Sequence, residues 1–104
     1  MMNRTYPIEQ RAPLSRLSIH AEKRASQRAV PKKLIELIQI YGTEAPAKGG
    51  CVIKYFPQKE MEYIYSDLVR AEKNMLKGKE TAYIVENEGF VVTTGYRYKK
   101  VIRH

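Results

Sequence analysis

The chain has no tryptophan, only two phenylalanines, one cysteine and two histidines in 104 residues. With Cys51 alone, no internal disulfide can form, and a thiol opening an apolar run reads as a small buried residue in a reducing compartment. One cysteine with His20 and His104 does not make a metal ligand set, so neither a metal nor any other cofactor is expected. Without tryptophan there is no basic amphipathic helix carrying an aromatic insertion face, which argues against a membrane surface as partner. No apolar run reaches transmembrane length and the first residues lack the apolar core of a signal peptide, so the expected location is the cytoplasm. Acidic residues are also in short supply: 11 Asp+Glu face 19 Lys+Arg, a formal net charge of +8. A domain this basic attracts polyanions, and the commonest in a cytoplasm are nucleic acids.

The length suits one domain. Residues 1–13, with Pro7 and Pro13, read as an N-terminal arm, and residues 14–104 as a single α+β domain. A first helix starts at Ser15 or Ser18, either of which can cap it, with Leu14, Leu17, Ala21 and Ala25 on its apolar side. Pro31 ends that element and opens a second helix, whose Leu34, Leu37, Ile38 and Tyr41 recur at helical spacing before Gly42 stops it. Thr43 to Gly50, holding Pro46 and Gly49-Gly50, reads as a loop. Cys51 to Phe56 reads as a strand stopped by Pro57. Met61, Ile64, Leu68, Ala71 and Met75 then predict one helix over about 58–77, closed by Gly78. Two β runs around Asn87-Glu88-Gly89 predict an antiparallel hairpin, its second strand continuing to about Tyr98. Alternation there puts Val91, Thr93, Gly95 and Arg97 on one face and Val92, Thr94, Tyr96 and Tyr98 on the other.

Two cationic elements stand out. His20, Arg24 and Arg28 recur every four residues, which on a helix is one gently winding stripe. Arg97-Tyr98-Lys99-Lys100 closes the last strand. The same helical residues also describe an ordinary solvated face. If the fold brings the two elements together, the result is a groove with basic walls, a Tyr96 or Tyr98 ring for stacking on a base, and one titratable imidazole. Cleavage of RNA without a metal requires such parts: a base for the ribose 2′-hydroxyl, an acid for the leaving 5′-oxygen, and cations for the phosphorane charge.

Ser18-x-His20-Ala21-x-x-Arg24-x-x-x-Arg28, the Pro-opened helix ending in Tyr41-Gly42, and Val91-Val92-Thr93 with Gly95-Tyr96-Arg97-Tyr98-Lys99 resemble a small bacterial domain-of-unknown-function family. That family is grouped with the barnase, EndoU, colicin and RelE-like ribonuclease toxins. The resemblance implies an N-terminal helical pair packed on a small antiparallel sheet, with the 58–77 helix as an addition inserted between strands. It implies a toxin-type, metal-independent endoribonuclease acting on mRNA or tRNA, with catalytic positions at His20, Arg24, Arg28, Thr93 and Arg97. Arg16, Lys23, Tyr96, Tyr98, Lys99 and Lys100 would then contact the nucleic acid, and an acidic antitoxin-like protein would be the natural partner. The alternatives are a non-enzymatic basic nucleic-acid-binding module and an interaction protein for an acidic partner.

Overall fold

The computed structural model describes residues 14–97. The arm at 1–13 and the expectations placed on Tyr98, Lys99 and Lys100 lie outside them. The described chain runs β1 (Arg16–Leu17), α1 (Ile19–Gln27), α2 (Lys32–Tyr41), β2 (Thr43–Pro46), β3 (Val52–Tyr55), α3 (Met61–Ser66), α4 (Arg70–Leu76), β4 (Ala82–Asn87) and β5 (Phe90–Tyr96). The strands form one sheet in the order β1-β5-β4-β3-β2. The α+β fold predicted from the sequence is present, with four strands antiparallel. The two-residue β1 adds a parallel edge pairing to β5 that the sequence reading lacked.

Ser18, not Ser15, caps α1: its Oγ accepts from Ala21 N–H at 3.0 Å. Leu14 and Leu17 therefore precede the helix and pack on the core from the entering chain. A two-way clamp by the Gln39 amide holds that entry, since Ser15 N–H donates to Gln39 Oε1 at 2.9 Å and Gln39 Nε2 donates to Ser15 O at 3.5 Å. At its other end α1 closes before Pro31. Val30 N–H reaches Ala25 O at 2.8 Å, with Ala29 between them at φ 54°. This is a Schellman ending whose left-handed position is occupied by alanine rather than glycine.

Of the apolar period of α2, Leu34, Leu37 and Ile38 are completely buried, as is Ile35, and Tyr41 is half-buried against them, each fully buried side chain contributing about 1.5–3 kcal/mol. They meet Ile84, Ala82 and Val91 of the sheet, Phe56 just past β3, Ile64 of α3, Leu76 of α4 and Leu68 between those two helices in one cluster. Every helix lies over that face of the sheet or along its β5 edge, where α1 finds its main contacts.

Three local readings are corrected. Thr43–Pro46 is not a loop but the edge strand β2, paired Thr43↔Tyr55 through Pro46↔Val52; an edge tolerates the proline because its nitrogen need not donate. The single helix expected at 58–77 is broken at Asp67–Val69. The Tyr41 hydroxyl donates to Asp67 Oδ2 at 2.5 Å, and the Glu72 carboxylate accepts from the extended Val69 N–H at 3.1 Å, restarting the helix. Ala71, expected on the apolar stripe, is exposed. Third, the register of β4 on β5 shifts between Val85 and Glu86, so that Val85 pairs with Thr93 and Glu86 with Val91. Val92 is the extra residue of a bulge. Val91 thus turns into the core, where it is fully buried, instead of sharing a face with Thr93, Gly95 and Arg97.

Candidate nucleic-acid interface

The sheet face turned away from the helices carries the site. In register across the strands, one row reads Thr43, Tyr55, Tyr83, Gly95 and the next Ala45, Ile53, Val85, Thr93. None of these eight residues belongs to the helix-side core cluster, and none is acidic. Beyond Gly95, Arg97 N–H donates to Thr81 O at 2.9 Å, and its side chain turns back over the sheet to lie 4.8 Å from the centre of the Tyr55 ring. A guanidinium over an aromatic face is attracted by the ring quadrupole, and Tyr55 is buried beneath it. Burial pushes the pKa of this guanidinium down, and its Nε is buried without a hydrogen-bond partner among the described residues.

Helix α1 runs beside this face along the edge that β1 leaves open. Ser18 N–H donates to Val91 O at 2.9 Å, Arg28 Nη1 to Thr94 O at 2.8 Å, and the Tyr96 hydroxyl to Ala29 O at 2.9 Å. The helix therefore advances in the direction of the strand, and the His20, Arg24, Arg28 stripe travels alongside Val92 to Gly95. The Arg28 bond also fills an edge carbonyl that would otherwise invite another strand. Higher on the stripe, Arg24 Nε donates to His20 Nε2 at 3.3 Å, and Arg24 Nη1 to Gln27 Oε1 at 2.9 Å. His20 is exposed, with its Nε2 turned to Arg24.

Of the residues singled out in the sequence, Arg28, Thr93 and Arg97 share the helix-free face, Arg28 against Gly95 on β5 and Arg97 over Tyr55 two strands away, while His20 and Arg24 are bonded to each other along α1. Tyr96 does not join them. Its ring packs against the core on the helix side, its hydroxyl is engaged by Ala29, and burial raises its pKa. Arg16 is also elsewhere, on the wall of a cavity of about 360 Å³ between the entering chain and α2, with Glu22, Lys32 and Glu36. Lys23 is exposed on α1. Two aromatic residues of the face, Tyr55 and Tyr83, are absent from the sequence-based set. Among the described residues, no group of three His, Cys, Asp or Glu side chains is placed to hold a metal ion, and no helix is long and apolar enough to cross a membrane. Compared with known proteins, the chain matches no family model, no curated protein and no solved structure.

Proposed function

We propose that this chain is a toxin-type endoribonuclease that binds single-stranded RNA, mRNA or tRNA, on the helix-free face of its sheet and cleaves it beside α1. One observation carries the reading: Arg28, Thr93 and Arg97, drawn from both ends of the described chain, share one sheet face whose two rows hold no acid, with the His20–Arg24 pair on the helix that supplies Arg28. Guanidinium, hydroxyl and aromatic groups without carboxylates suit a phosphodiester backbone, with the half-buried Tyr83 as the ring open to a base, since Tyr55 is buried under Arg97. In this reading Arg24 and Arg97 hold the scissile phosphate, Thr93 donates a hydrogen bond, and Arg28 fixes the edge against which the phosphate rests. A phosphate that draws Arg24 away from His20 frees Nε2 to accept the 2′-hydroxyl proton, and the resulting imidazolium then protonates the leaving 5′-oxygen. No metal is needed for these steps. The excess of basic charge favours an acidic protein as the neutralising partner, and the site of action is the cytoplasm.

The second reading, an RNA-binding module without chemistry, is favoured by one detail: His20 Nε2 is already engaged by Arg24. Purified protein, a mixed RNA substrate and EDTA separate the two. The enzyme reading expects His20→Ala to lower cleavage roughly 10²–10⁴-fold with RNA affinity retained. Wild-type protein that binds RNA but never cuts it, with or without ribosomes, leaves the binding module.

A further inference from the structure

Gly95 is the meeting point of two groups from distant parts of the chain. A Cβ built on it would stand 3.1 Å from Arg28 Nη1 and 3.2 Å from the Tyr83 hydroxyl oxygen. The missing side chain is therefore what lets a phenol from β4 and a guanidinium from the end of α1 close over one spot on β5. Arg28 is held there by its bond to the Thr94 carbonyl, which takes one of its five N–H groups. The Tyr83 hydroxyl has no hydrogen-bond partner among the described residues. Both groups are donors, and the two rows of the face around them hold no carboxylate.

We infer that Tyr83 and Arg28, brought together over Gly95, form a seat for one phosphate group, and that its occupant is a phosphate of the RNA backbone. The identity of the occupant rests on the function proposed above; the chemistry of the seat does not. A phosphate offers several oxygens, so one can take the neutral phenol O–H while another takes a guanidinium N–H. Tyr83 supplies geometry without charge and Arg28 supplies the charge. Gly95 is the positioning residue for both. Tyr55, next in the row, is covered by Arg97, which places Tyr83 between two guanidinium groups.

The distinction between a neutral and a charged donor gives the test its resolution. Tyr83→Phe keeps the ring and removes the hydroxyl; RNA affinity should fall about tenfold, the lower end for a hydrogen bond to a charged group, with the salt dependence unchanged. Arg28→Gln should lower affinity and also reduce the log-log salt slope by about 0.7, one single-strand phosphate. Gly95→Ala should do what both changes do, because its Cβ displaces the two groups while its backbone tolerates alanine. In parallel, inorganic pyrophosphate is titrated into the full chain and followed through backbone amide NMR. The Gly95 and Thr94 amides should shift saturably in the wild type and not in Gly95→Ala. A wild-type Gly95 amide that ignores millimolar pyrophosphate, or a Tyr83→Phe protein indistinguishable from wild type in both assays, overturns the seat. A wild type that binds pyrophosphate at Gly95 but no RNA leaves the seat standing and removes RNA as its occupant.

Discussion

Replacing Gly42 by alanine should damage this protein more than any other single added methyl group on a glycine. Gly42 ends α2 with φ −72° and ψ 156°, a conformation open to every residue, so no dihedral strain accompanies the change. The obstacle is space. An alanine Cβ would press into the Ile38 carbonyl oxygen and would stand 3.2 Å from the Tyr55 carbonyl oxygen and 3.3 Å from Ile38 Cγ2. Two of the three are backbone atoms, one in α2 and one at the end of β3, and neither yields without separating the helix from the sheet beside the fully buried Ile38 and Phe56. The cost belongs at the upper end for an overpacked interior, about 3 kcal/mol. For a domain of this size, that lowers the melting temperature by roughly 12–24 °C. Thermal and urea unfolding followed by circular dichroism measure it, with Gly95→Ala as the control, since there the encroaching atoms are ends of flexible side chains. A Gly42→Ala protein melting within about 4 °C of wild type, the shift that corresponds to less than 1 kcal/mol, would refute the steric account.

Ala29→Gly and Glu88→Asn should each stabilise the fold by about 0.5–1 kcal/mol in urea titrations, because both positions hold positive φ, 54° and 49°, where L side chains are strained and where glycine and, in a type I′ turn, asparagine are at ease. Burial, with the Glu80 hydrogen bond and charge, raises the Tyr65 pKa well above the usual phenol value. Above about pH 10 the unfolded chain therefore loses a proton that the folded chain keeps, so stability should fall as pH rises further. Tyr65→Phe should flatten that alkaline decline of the urea midpoint, and an unaltered decline would assign it to other groups.

The elements legible in the sequence were those written locally. The α2 stripe and the Glu88-Gly89 turn each depend on a few neighbouring residues, and each is where the pattern put it; the α1 cap fell on Ser18, one of the two serines the pattern offered. What escaped the sequence is set by distant partners. Thr43–Pro46 has a proline, a glutamate and no alternation, and it is a strand because β3 pairs with it. Asp67 interrupts a continuous apolar period because the Tyr41 hydroxyl, 26 residues away, holds it. The candidate site was half visible for the same reason. Alternation along one strand was enough to group Thr93 with Arg97, but Tyr83 joins them only through the register of two strands. Without the bulge, the pairing Asn87↔Phe90 continues to Tyr83 opposite the buried Thr94, and the phenol never meets Gly95.

The fit of α1 to the edge of β5 has a consequence for how such a site can vary. From Ser18 to Ala29 the chain advances about 16 Å in helical steps, and from Val91 to Tyr96 about 16 Å in extended ones, so eleven divisions on one scale are read against five on the other. The bonds at the two ends hold the scales together as a vernier is held against its rule. Side chains along α1 can be exchanged without disturbing that match, but inserting or deleting one residue turns everything downstream by about 100° and carries Arg28 off Thr94. The chemistry offered beside the sheet is therefore free to change in kind, while the length of the helix that presents it is not.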